Sequence, residues 1–159
     1  MKIVGNDGKE LPWDGKTYGN LLVKGPWIIS GYFKNEGGDV LEDGWFPTGD
    51  LVSVAGDGYV TVRGRRTELI ITGGHNVYPA EVEAVLARHP GVVEVAVVGV
   101  ASAEWGETVV AYVVGDPDLA SLRELAAAEL APFKCPREVR LVASLPRNAL
   151  GKVVRAELR

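Results

Sequence analysis

Residues 68–100 read ELIITGGHNVYPAEVEAVLARHPGVVEVAVVGV, and this stretch decides the fold. Glu68–Thr72 is an apolar, β-branched run that stops at Gly73-Gly74. Pro79–His89 has helical character. Proline suits a first helical position, Glu81 and Glu83 sit at the positive end, and Val82, Val85 and Leu86 share a face. Pro90-Gly91 ends the helix, and Val92–Val100 returns as a strand. Strand, helix and strand within so few residues predict an α+β layer.

Downstream the pattern continues. Thr108–Val114 is another strand, and Asp118 or Ser121 can cap a helix reaching about Ala131. Leu122, Leu125, Ala126 and Leu130 form its buried face. Glu138–Ala143 is a last strand, and Gly151–Arg159 a short closing helix. The order is β-α-β-β-α-β, helices packed on a short mixed sheet. Upstream the chain is β-rich. Lys2–Val4 precedes an Asn6-Asp7-Gly8 turn, Leu21–Lys24 and Ile28–Phe33 are extended runs, and Gly56-Asp57-Gly58 joins Leu51–Val54 to Tyr59–Arg63. The character changes near Arg63–Arg66, from a β-rich first part to an α+β second part.

The 159 residues are 47% hydrophobic and 24% charged, ordinary globular usage that excludes a disordered or fibrous chain. The net charge of −4 argues against a whole-protein grip on nucleic acid. No run is long enough for a membrane span, and the acidic first residues are not a signal peptide. Cys135 is the one cysteine, so no internal disulfide argues for secretion, and a cytoplasmic location is expected. Residues 132–159 carry seven basic residues against Glu138 and Glu157, either a solvated surface or a local anion site.

Three stretches could carry chemistry. Asp50, in Thr48-Gly49-Asp50, is placed to accept hydrogen bonds from a ribose cis-diol, or else caps its own turn. Gly73-Gly74 would let a ligand lie against the backbone, with Arg65 or Arg66 available to a phosphate or carboxylate; a plain glycine turn is the competing reading. Gly151-Lys152 is not a Walker A loop, because Val153 replaces the magnesium-binding hydroxyl. Lys152 remains a point charge on a glycine-hinged loop, suited to phosphate or carboxylate oxygens. His75, His89 and Cys135 have no metal-ligand spacing. His89 reads as a helix-dipole partner, Cys135 as structural, and Trp27, Trp45 and Trp105 as packing residues.

Taken in order, Asp43–Asp50, Arg63–Glu83 with its Tyr-Pro-Ala-Glu-Val-Glu run, and Pro146–Arg155 resemble three motifs of the adenylate-forming superfamily. That superfamily includes acyl-CoA synthetases, nonribosomal adenylation domains and luciferases. The Ile71-Thr72-Gly73-Gly74 form is most like acyl-CoA synthetases. Thr67 departs from the Asp or Lys usual at the family hinge.

The resemblance implies a ligase joining a carboxylic acid, ATP and CoA into acyl-CoA, AMP and diphosphate, with Mg2+ accompanying ATP through ligands outside this chain. Asp50 would hold the ribose hydroxyls of ATP or AMP, and Arg65 would lie at the hinge and reach the ribose or phosphate. Lys152 would bridge the substrate carboxylate and the α-phosphate. Gly73, Gly74 and His75 would border the CoA channel. The family's phosphate loop, adenine motif and acyl pocket are not in this sequence. Residues 1–63 would then be the tail of a large N-terminal domain and 64–159 a C-terminal lid, inactive without that domain in cis or in trans. Detached from it, residues 1–63 would expose apolar edges, a route to self-association. The alternative is a stand-alone module of the same fold, binding CoA or a nucleotide or serving only as an interaction domain.

Overall fold

β1 (Lys2–Val4), β2 (Tyr18–Val23), β3 (Phe46–Val54) and β4 (Val60–Arg65) pair antiparallel in chain order. Alternation along these strands turns Ile3, Val52 and Val54 inward, each fully buried, with Leu11, Leu21 and Val60 packed around them. The β3–β4 turn closes as its glycines and aspartate predict: Gly58 N donates to Ala55 O at 2.8 Å, and Asp57 Oδ1 accepts from Tyr59 N at 3.0 Å. The Asn6-Asp7-Gly8 turn also forms, but the chain beyond it makes a single bridge, Val4 to Glu10, and β1 takes β2 as its ladder partner. Ile28–Phe33 is not a strand. Gly25-Pro26 opens a turn, with Ile28 N donating to Gly25 O at 3.1 Å, and the segment joins no ladder among the described residues. Trp27 is 96% and Phe33 82% exposed, so Trp27 is not a packing residue within this unit.

The computed structural model describes residues 1–35 and 39–159. It divides into two units, Met1–Thr67 and Glu68–Arg159. The second contains β5 (Ile70–Thr72), β6 (His75–Val77), α1 (Pro79–Leu86), β7 (Val92–Ser102), β8 (Gly106–Gly115), α2 (Leu119–Glu129) and β9 (Glu138–Leu141). The sheet order is β6-β5-β8-β7, with β9 parallel to β8 along Val110–Val113. The fold is α+β, and its second sheet is mixed.

Both faces of β7 and β8 are covered, which is why these strands read as nearly unbroken apolar runs. Val97, Val109, Ala111 and Val113 face α1 and α2, meeting Val82, Leu86, Leu122 and Ala126. Ala96, Val98, Val110 and Tyr112 face the other way, onto Leu145 and Leu158 of the C-terminal segment. That segment therefore forms a cover for the second face. Each fully buried Val or Leu contributes roughly 1.5–3 kcal/mol.

Helix ends follow local chemistry. Asp118 caps α2, its carboxylate accepting from Ser121 N at 3.0 Å and Ala120 N at 3.4 Å. Hydrogen bonds from Ser121, then Ala120, hold that carboxyl below its ordinary range. α1 stops at Leu86 rather than His89: Arg88 N and His89 N bond back three residues, to Val85 O and Leu86 O, so the last turn tightens before Pro90, which has no N–H to continue the helix. His89 Nδ1 accepts from Gly91 N at 3.1 Å and its Nε2 meets Ser121 Oγ at 2.8 Å, so the ring ties the end of α1 to the start of α2. The closing helix is one short 3-10 turn, Arg155–Leu158. Among the described residues, no helix is long and apolar enough to cross a membrane.

Candidate functional site

Asp50 and Arg65 lie opposite one another in the β3–β4 ladder of the first unit. Arg65 Nε is 3.1 Å from Asp50 Oδ1, and its guanidinium also donates to Thr48 O at 2.8 Å. Thr48 Oγ in turn accepts from Asp50 N at 3.1 Å and donates to Leu21 O at 3.2 Å. Two of the candidate residues are thus brought together, and Thr48 is a support that the motif names but the chemistry of a ribose carboxylate does not require. The Arg65 side chain is 56% exposed, so the pair itself adds well under about 1 kcal/mol of stability. A carboxylate has about four lone-pair positions, so Asp50 retains acceptor capacity for hydroxyl groups.

In the second unit, Gly73 and Gly74 do not lead from a strand into a helix. They are the two-residue tip of a hairpin, with Thr72 paired to His75. Both have positive φ, 54° and 81°, which this type of tight turn requires. Gly73 N donates to Trp105 O at 2.9 Å, and a Cβ on Gly73 would lie 3.0 Å from the Trp105 ring. Nothing within 4 Å would meet a Cβ on Gly74, so that side of the turn is open. His75 stacks on Phe133 with centroids 4.5 Å apart, and the Arg137 guanidinium lies 4.2 Å from the Trp105 ring centroid. Phe133 and Arg137 are far away in sequence, and no local pattern connects them to the glycines.

Lys152 sits on a loop closed by one bridge, Arg147 to Val153. Asn148 Oδ1 accepts from the amides of Leu150 and Lys152, both at 3.0 Å, and Gly151 takes φ 79°. Arg147 donates to Gly151 O at 2.6 Å and to Glu94 at 2.7 Å. The loop is braced rather than freely hinged. The basic segment around it is largely neutralised. Lys134 pairs with Glu81, Arg140 with Glu138, Arg147 with Glu94, and Arg155 with Glu68 and Glu83. Lys152 stands apart, exposed and making no side-chain bond to any described residue. Most of the basic tail is thus a paired surface, Arg137 lies over the Trp105 ring, and Lys152 is left without a side-chain partner among the described residues.

Cys135 is structural as read. Its thiol lies 3.6 Å from Ala126 O and 3.7 Å from Ala131 O, and burial pushes its pKa up, away from the thiolate. Among the described residues no group of three or more His, Cys, Asp or Glu could hold a metal ion.

Residues 81–152, from α1 to the candidate lysine, match the AMP-binding enzyme C-terminal domain family. That match takes in 72 of the chain's 159 residues. Beyond that match, similarity to CoA ligases runs along the whole sequence. The 3-methylmercaptopropionyl-CoA ligase of Ruegeria lacuscaerulensis is 39% identical over 163 residues, covering 100% of this chain and 30% of that protein. The indoleacetate–CoA ligase of Aromatoleum aromaticum is 43% identical over 165 residues, covering 100% of this chain and 32% of that protein. Among solved structures, o-succinylbenzoate CoA synthetase of Bacillus subtilis, in complex with its acyl-adenylate intermediate, superposes with a TM-score of 0.90 at 36% identity. That match covers 100% of this chain and 33% of the synthetase. The chain thus spans about a third of the length of the relatives it matches.

Proposed function

We propose that this chain is the C-terminal portion of an AMP-forming acyl-CoA ligase, supplying the cation for acid adenylation and the backbone turn for thioester formation. The observation that carries the reading is the Lys152 loop: a braced turn that presents an ammonium with no side-chain partner among the described residues, from a segment whose other lysine and three of whose arginines are ion-paired. In adenylation a carboxylate oxygen attacks the α-phosphorus of ATP and diphosphate leaves. Two anions must meet, and a positioned cation between them lowers the repulsion as charge builds on the phosphoryl oxygens. A lysine suits this role because its ammonium is a compact charge with three donors.

In the second half-reaction the CoA sulfur attacks the acyl carbonyl and AMP leaves. That step needs an unobstructed approach, and the open side of Gly74 beside His75 is suited to border it. Asp50, held by Arg65 and Thr48, is suited to accept from the two ribose hydroxyls of the adenylate. Mg2+ would accompany ATP on residues outside this chain. Residues 1–63 are read as the tail of the large domain, 64–159 as its lid, and Gly64–Thr67 as the hinge about which the lid turns between half-reactions. By this reading the chain alone activates no acid.

The test fuses this chain to the aligned remainder of the Bacillus subtilis synthetase and measures each half-reaction separately. Lys152→Ala is expected to slow adenylation roughly 100- to 1,000-fold, the cost of removing one preorganised transition-state donor. Thioester formation from supplied acyl-adenylate should change little. Equal loss in both halves would contradict the assignment.

A further inference from the structure

The Lys152 loop has two legs, and an arginine grips each of them. On the entering leg Arg147 bonds Glu94 of β7 at 2.7 Å. On the leaving leg Arg155 places one nitrogen 2.8 Å and 3.0 Å from the two Glu83 oxygens and another 3.3 Å from Glu68. Glu83 is fixed in its turn, because its Oε1 accepts from Val97 N at 2.8 Å. The network therefore joins four places: the first residue of the second unit, the middle of α1, the edge strand β7, and the segment three residues after Lys152. The Arg155 and Glu83 side chains are only 24% and 17% exposed, against 43% and 39% for Arg147 and Glu94. Less solvent competes at Arg155, so its hold on the loop is the stronger one.

We infer that Arg155 is a positioning residue for adenylation: through Glu83 and Glu68 it fixes the leg that aims Lys152. The inference rests on the role proposed above for Lys152. A near-attack geometry tolerates about 1 Å of misplacement before rates fall ~100-fold, so a loosened leg acts on chemistry without touching substrate. The planar fork of arginine reaches two carboxylates at once, which a lysine cannot reproduce.

The experiment uses the same fused enzyme, with half-reactions assayed separately and Tm recorded for each variant. Arg155→Gln is expected to slow adenylation at least tenfold while thioester formation stays within twofold. Arg155→Lys should recover little of the loss. Glu68→Gln keeps the Glu83 contact, guards against a folding defect, and should slow adenylation two- to fivefold with Tm nearly unchanged. Equal losses in both half-reactions that track a lowered Tm would overturn the inference, as would unchanged adenylation in Arg155→Gln. Lys152→Ala in the same assay keeps the two claims apart. If it fails to slow adenylation, the lysine assignment falls; if it slows adenylation and Arg155→Gln does not, only the positioning role falls.

Discussion

The glycine turn at Thr72–His75 and the lysine loop at Arg147–Val153 are both tight reversals of the second unit, yet side chains brace the second far more than the first. The glycine turn hangs on main-chain bonds: a ladder from Ile70–Val77 to Thr72–His75 and the Gly73 amide on Trp105 O. Its tip carries no side chain at all. The lysine loop has main-chain bonds of its own, Asn148 N to Lys152 O and Gly151 N to Asn148 O at 2.9 Å and Val154 N to Pro146 O at 2.8 Å, and the side chains of Asn148, Arg147 and Arg155 brace it as well. Under the proposed roles, a turn that offers backbone to a ligand is kept bare at its tip. A turn that offers one charge can be buttressed by side chains, provided the offered charge itself stays unpaired.

Three perturbations should separate the two supports. Gly73→Ala has the largest expected effect on stability, about 1–3 kcal/mol, because alanine disfavours a left-handed φ and its Cβ would press the Trp105 ring at 3.0 Å. Urea unfolding of the chain measures it, and hydrogen exchange should rise at residues 70–77 but not at 148–152. Asn148→Ala comes next, at about 1 kcal/mol or less, since two exposed amides lose their acceptor. There the exchange pattern should reverse, rising at 148–152 and staying flat at 70–77. Salt should act most weakly. Raising ionic strength from about 0.1 M to about 1 M shortens the Debye length to ~3 Å, which should loosen the arginine-held loop and leave the ladder-held turn unchanged by exchange.

The parts legible in sequence are those decided locally. Asp118 two positions before Ala120 announces a cap, and β7 and β8 announce themselves by β-branched runs. β6 escaped because only Val77 of its three residues is buried, leaving no alternation to detect. Ile28–Phe33 has the composition of a strand but no ladder partner in the first unit. At the site, motif order brought out Asp50, Gly73, Gly74, His75 and Lys152. What could not be read was the pairing around them. Arg155 finds Glu68 across 87 positions and Glu83 across 72, so which cations of the basic tail find partners is settled only by folding.

The most direct measurement sets one residue of each turn against the other in the fused enzyme. Lys152→Ala is compared with Gly74→Asn, a change that tolerates φ 81° and fills only open space. Adenylation is followed by diphosphate release and thiolation by thioester formation from supplied acyl-adenylate. A crossed result is expected: the lysine variant loses adenylation and keeps thiolation, while the asparagine variant loses thiolation and keeps adenylation. If both variants impair the same half-reaction, the division of labour between the two turns is wrong.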